Sequence, residues 1–346
     1  LRNDGALQTA GDQVKALGSS STVGRLERGA DRSAAWALHE GLFAQFSASF
    51  RRRPKELILD FDATDDPVHG KQEGRHFHGY YDHYCFLPLY VTCGDQLLVS
   101  YLRESNIDGA KHAWAILSIL VKRLRQVWPE VKIILRADSG FCRWRMLRWC
   151  EDHDVDYIVG LAKNDRLREK AGHLIRMARE RFESSGEYQR RFGHVLYAAQ
   201  TWDRARKVVI KAEHSGKGEN PRYIVTTLDG DPQELYEQIY CARGDSENKI
   251  KQQFQLFSDR TSCHRWWPNQ FRVMLSSCAY VLVDALRRIA LRKTALAKAE
   301  INTIRLQLFK IGAAIVRNTR RIRFLLSSSY PRQALFAQVA AVFDTG

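Results

Sequence analysis

The sequence has no apolar run approaching the 18 or so residues that a membrane-crossing helix requires. It shows no secretory signal, no internal repeat and no low-complexity tract. Its 7 cysteines (85, 93, 142, 150, 241, 263, 278) are odd in number and contain no Cys-x-x-Cys pair. That spacing argues against a disulfide framework or a zinc ribbon, and predicts free thiols in a reducing cytoplasm. Acidic residues are scarce in one place above all. Between Arg260 and Arg332 there are 15 Lys/Arg and only two acids, Asp284 and Glu300, a balance of +13 against +15 for the whole chain.

What is present is the composition of a globular protein long enough for one large or two ordinary domains: 346 residues, 45% hydrophobic and 27% charged. Its mean hydropathy is −0.39 and its pI is near 9.6. Such basicity, gathered near one end, points to a polyanionic partner. Without a spanning segment, nucleic acid is favoured over membrane.

Along the chain, residues 31–50 predict a helix that the Arg51-Arg52-Arg53-Pro54 step ends. Strand-like runs follow at 56–63, 84–92 and 96–103; the first is almost wholly apolar, as in a buried central strand. An amphipathic helix is expected over 109–128, with Trp114, Leu117, Leu120, Val121 and Leu124 on one face. Strand 132–137, helix 143–153, strand 156–162 and helix 165–181 complete a β-β-β-α-β-α-β-α order, which predicts an α/β fold with a mixed sheet. Runs at 195–202, 207–212 and 222–228 read as an antiparallel β insertion, 232–256 as helical and polar, and the remainder as helical and basic. The expected division is 1–53, a remnant of an N-terminal helical DNA-binding or linker region; 54–186, the first part of the core; 187–231, the insertion; 232–260, the last core helix; and 261–346, the basic helical region.

Three acids stand out by context. Asp62 closes Leu57-Ile58-Leu59-Asp60-Phe61-Asp62, and Asp138 closes Ile133-Ile134-Leu135-Arg136-Ala137-Asp138. Glu247 lies in the polar helix. Two carboxylates at strand ends and a third on a later helix are the ligand types that hold two divalent cations for phosphoryl transfer. Asp60 and Asp62 share a strand face at period two, so either could be the ligand. Asp138 also reads as a cap for the turn after it. Tyr240 and Arg243 precede Glu247 by seven and four residues, on one helical face, where an Arg can grip phosphate in two places.

These strings resemble a known family. Asp62-Ala63-Thr64 is similar to the Asp-x-Thr at the first acid of DDE transposases, and Arg136-Ala137-Asp138-Ser139-Gly140-Phe141 to the Arg-x-Asp-x-Gly-Phe at their second. Tyr240-x-x-Arg243-x-x-x-Glu247 resembles the Tyr-Arg-Glu-Lys signature at their third, in bacterial insertion-sequence transposases with a β insertion. Residues 60–70 are similar to the pattern of insertion-sequence family 1380. The signature's lysine is expected where this chain has Phe254; Lys249 and Lys251 stand nearby, with Lys251 one turn beyond Glu247.

The resemblance implies a ribonuclease H-like core holding two Mg²⁺ or Mn²⁺ ions at Asp62, Asp138 and Glu247, with Asp60 as alternate. It also implies cut-and-paste chemistry on the element's terminal inverted repeats and on target DNA, by a homodimer associated with the bacterial nucleoid. Tyr240, Arg243, Lys251, Arg287, Arg288, Arg320 and Arg321 are the candidate DNA contacts, because so few acids interleave the basic run. His76, His78 and His83 fit no standard zinc spacing and are expected on a hairpin edge. A plain nuclease on the same fold, and a non-catalytic DNA-binding derivative of a truncated transposase, are the rival readings.

Overall fold

The computed structural model describes residues 2–343; the last three residues of the expected C-terminal region lie outside them. Helices α1 (Gly5–Ala10), α2 (Ser20–Arg28) and α3 (Arg32–Ala48) lead to strand β1 (Glu56–Ala63). Short strands β2 (Asp66–Pro67), β3 (His76–His78) and β4 (His83–Phe86) follow, then β5 (Leu89–Cys93), β6 (Gln96–Tyr101), α4 (Ala113–Val127) and β7 (Lys132–Ala137). Next come α5 (Trp144–Asp152), β8 (Asp156–Leu161), α6 (Asp165–Lys170) and α7 (Gly172–Ser185). Strands β9 (Gln189–Tyr197), β10 (Arg206–Ser215), β11 (Gly218–Glu219) and β12 (Arg222–Thr226) precede α8 (Pro232–Glu234). A π-helical turn (Leu235–Tyr240) and a 3₁₀ turn (Cys241–Arg243) then run into α9 (Gly244–Phe254). The rest is α10 (Trp266–Leu286), α11 (Ile301–Ile304), β13 (Ala313–Arg317), β14 (Ile322–Leu326) and α12 (Gln333–Phe343).

Two compact units result. One comprises residues 42–67 and 74–250, the other 1–41, 68–73 and 251–346. The first is built on a nine-stranded mixed sheet in the order β11-β10-β12-β8-β7-β1-β5-β6, with β9 paired to β10. Strands β1, β7 and β8 run parallel at its centre, and β5 and β12 flank them antiparallel. The parallel strands are the near-continuous apolar runs, as burial on both faces demands. One face carries the main core, where Leu57, Leu59 and Phe61 of β1 meet Leu117, Leu120, Val121 and Leu124 of α4 and Met146, Leu147 and Cys150 of α5. The opposite face carries a smaller apolar group, Ile134, Ile158, Val209 and Ile224, under Leu235 and Tyr236.

Several local expectations shift. Trp114 is half exposed, and Ala113 takes the buried position at the start of α4. The run at 84–92 divides, because β4 joins a separate small sheet, β2-β4-β3, while β5 enters the main one. The antiparallel strands after α7 extend the main sheet through the β12–β8 pairing.

In the second unit α10 packs on α2, and Arg272 of α10 pairs with Glu27. This region is not wholly helical: β13 and β14 form an exposed antiparallel ribbon. Its sequence, Ala313-Ala314-Ile315-Val316-Arg317 and Ile322-Arg323-Phe324, is rich in β-branched and aromatic residues around a turn at Asn318, which favours strand. All seven cysteines are free. Among the described residues no helix is long and apolar enough to cross a membrane.

Candidate active site

The parallel β1–β7 pairing runs from Glu56↔Lys132 to Phe61↔Ala137, so the next residues, Asp62 and Asp138, leave adjacent strands at the same carboxyl end. Neighbouring strands lie about 4.8 Å apart, and α/β sheets place ligand sites at such ends. Period-two alternation puts Asp60, Asp62 and Arg136 on the face opposite the main core. Asp138 caps the following 3₁₀ turn, its Oδ1 accepting from the Gly140 amide at 2.8 Å.

The third acid arrives from above the sheet. The Ser246 and Thr92 hydroxyls hydrogen-bond at 2.9 Å, and Lys249 Nζ donates to the Gly94 carbonyl at 2.6 Å. Ser246, Lys249 and Ile250 are buried, a stripe at helical spacing that turns Glu247 outward. Arg243 joins the acids: its Nη2 donates to Glu247 Oε1 at 2.9 Å, and its Nη1 lies 3.7 Å from Asp62 Oδ2. Burial pushes the Asp62 carboxyl up to about 6; Arg243 opposes this, and the charges of Asp138 and Glu247 add to it. Burial draws the Arg243 guanidinium down, but Asp62, Tyr240 and Glu247 hold it above its ordinary value.

Asp60 is placed differently. Both its oxygens are held by Arg136, Nε to Oδ1 at 2.5 Å and Nη2 to Oδ2 at 2.7 Å, in a buried bidentate pair. Burial raises the Asp60 pKa and Arg136 opposes the rise. Arg136 Nη1 also donates to the Ile239 carbonyl at 2.7 Å, tying the π-helical turn to the two acid-bearing strands. The sequence marked Arg136 only as part of a motif; a long cationic side chain within an apolar strand was the available signal for a buried partner.

Tyr240 is half buried behind Asp138, and burial raises its pKa. Gly160 of β8 makes room for it. A Cβ at Gly160 would lie 2.6 Å from the Tyr240 hydroxyl and 2.7 Å from the Ser139 amide nitrogen.

Lys251 is exposed. Of the basic candidates in the second unit, Arg287 donates to Gln252 at 2.5 Å and to the Ala299 carbonyl at 2.8 Å, and Arg288 pairs with Asp284 at 2.8 Å. Arg320 and Arg321 lie exposed in the turn of the β13–β14 ribbon.

Three carboxylates are hard oxygen donors of the kind Mg²⁺ and Mn²⁺ take, and a cation at Asp62 would offset the burial that raises its pKa, along with the smaller repulsion from Asp138 and Glu247. Among the described residues no group of three or more His, Cys, Asp or Glu lies close enough together to hold an ion as the side chains stand. Arg243 spans the gap between Asp62 and Glu247. The donor chemistry fits a divalent cation, and Arg243 occupies Asp62 and Glu247 in this arrangement.

A mixed α/β sheet with acids at adjacent strand ends is compatible with the ribonuclease H-like core of a DDE transposase. The chain belongs to the family described as Transposase DDE domain group 1, which matches residues 1–345. No curated protein matches it. Among solved structures it is similar to a piggyBac transposase, described as a cryo-EM structure of the synaptic complex with hairpin DNA, at 11% identity and a TM-score of 0.42. That likeness covers 72% of this chain and 51% of the other, so the chain spans about half of that protein.

Proposed function

We propose that this chain is the catalytic part of an insertion-sequence transposase, of the branch similar to family 1380, that cuts DNA at the element's ends and joins the freed ends to target DNA. The observation that supports the reading is the exit of Asp62 and Asp138 from adjacent parallel strands at one sheet end, with Arg243 paired to both Asp62 and Glu247. These three carboxylates would hold two Mg²⁺ or Mn²⁺ ions. Bound there, the pair supplies positive charge to the attacking and leaving oxygens of an in-line displacement at phosphorus.

The chain's own groups have separate tasks. The strand ends fix Asp62 and Asp138 at sheet spacing. The Thr92–Ser246 and Lys249–Gly94 contacts fix the helix that carries Glu247. Arg243, paired here with Asp62 and Glu247, would orient the scissile phosphate through paired N–H donors once released from the carboxylates. Hydrolysis leaves a 3′-hydroxyl, whose oxygen then attacks a second phosphodiester, losing its proton as the target strand's own 3′-oxygen leaves phosphorus and takes up a proton. Exposed Arg320 and Arg321 offer sequence-independent contacts to the DNA backbone. A homodimer would present one such site to each of two element ends.

The test is a nicking and strand-transfer assay on a duplex carrying the flanking inverted repeat, with Mg²⁺ or Mn²⁺. Asp62→Asn, Asp138→Asn and Glu247→Gln should each abolish nicking and keep DNA binding. Nicking without strand transfer would make the chain a nuclease, and nicking that survives all three changes would overturn the assignment.

A further inference from the structure

The hairpin β3–β4 grows directly from the acid end of β1. Asp66 pairs with Phe86, and the Asp65 carboxylate, three residues past Asp62, meets His83 Nε2 at 2.8 Å. Its two faces differ. His76, His78, His83 and Cys85 share the inner one, and Phe77 stands opposite Tyr84 on the outer one. The Phe77 and Tyr84 rings meet edge-on at 5.6 Å, and the Arg75 guanidinium lies 4.5 Å above the Tyr84 ring. Tyr80 and Tyr81 form the tip, their rings 5.0 Å apart and nearly perpendicular. Tyr80 is 85% exposed, Phe77 52% and Tyr84 47%.

Single exposed aromatics need no explanation, but a contiguous group does. This one presents ring faces and a guanidinium with no aliphatic side chain among residues 75–84 to build the dry centre of a protein interface. Flat π-faces beside a cation suit a flat aromatic ligand on an anionic backbone, a nucleobase and its phosphate. Bases inside a duplex hide their faces in the stack, so the matching occupant is unpaired. The position agrees: the Tyr81 ring lies 6.1 Å from the His83 ring, and His83 meets Asp65, three residues past Asp62.

We propose that the β3–β4 hairpin is a stacking platform for unpaired bases of the DNA strand whose phosphodiester reaches the acids. Tyr80 at the tip takes one base, and the Phe77–Tyr84 pair with Arg75 takes the next. The platform rests on the DNA-cleaving reading for its setting, yet it is tested by binding alone.

The experiment measures fluorescence anisotropy of the full chain with a labelled single strand of about 15 nucleotides, and with the same strand in a duplex, at fixed salt and without divalent cation. Tyr80→Ala, and separately Phe77→Ala with Tyr84→Ala, should weaken single-strand binding by about 5- to 150-fold. Duplex binding and the thermal midpoint should be unchanged, and Tyr80→Trp should retain single-strand affinity. Unchanged single-strand binding, or equal losses for both DNAs, would overturn the platform. If wild type nicks DNA while these variants bind like it, the platform fails and the transposase reading stands. If the variants lose single-strand binding while wild type never nicks, the platform stands and the transposase reading fails.

Discussion

Replacing Asp62 by Asn should abolish nicking and also stabilise the metal-free protein, a combination that an ordinary surface aspartate would not give. The folded Asp62 carboxyl sits at about 6, against 3.8 unperturbed. An acid whose pKa rises on folding binds more protons folded than unfolded. Its ionisation therefore costs stability, a cost absent below about pH 4 and complete above about pH 7. At 1.36 kcal/mol for each tenfold change in acidity, the cost is roughly 2–3 kcal/mol. For a unit of about 200 residues that corresponds to about 4–12 °C in Tm. The assay is thermal unfolding in EDTA, wild type against Asp62→Asn, at pH 8 and pH 4. The variant should melt higher at pH 8, and the gap should close at pH 4. Added Mg²⁺ should raise the wild-type Tm and leave the variant nearly unmoved, because a cation that binds only the folded state stabilises it. A variant that melts lower at pH 8, or a gap independent of pH, would refute the account of Asp62 as a carboxylate whose ionisation is opposed chiefly by burial.

Arg136→Met should destabilise the sheet unit by about 3–5 kcal/mol in urea unfolding, because Asp60 is left buried and unpaired, and adding Asp60→Leu should recover much of that loss. Gly160→Ala should cost about 1–3 kcal/mol and slow nicking by displacing the Asp138–Ser139 backbone; Tyr240→Phe should partly rescue it, because the hydroxyl is the nearest obstruction. Arg320→Ala and Arg321→Ala should each flatten the salt dependence of DNA binding by about one counterion in a log–log plot. Arg287→Ala, whose guanidinium is spent on Gln252 and Ala299, should lower Tm without changing that slope.

Periodicity and local chemistry alone determined much of this protein. The apolar runs at 56–63 and 132–137 are strands β1 and β7, and the acids that close them come out side by side, because parallel pairing in register carries equal lengths of chain to the same edge. The stripe at Leu117, Leu120, Val121 and Leu124 is the buried face of α4. Where a run was short or its chemistry mixed, the sequence misled. The ribbon at 313–326 reads as part of a helical tail, and the residues at 84–92 divide between two sheets.

The Thr two residues past Asp62 favoured it over Asp60 in the sequence, but only the tertiary structure showed the physical difference between them. The two share a strand face and differ because Arg136, one strand away and 76 positions on, reaches the first with both donors. Only it showed that Tyr240 backs the second acid through the space at Gly160, that Arg243 bridges two carboxylates, and that Arg287 and Arg288 are held internally. Strand and helix periods fix which way a side chain faces along its own element. Which distant group it meets depends on sheet order and helix docking, set by the packing of the whole unit.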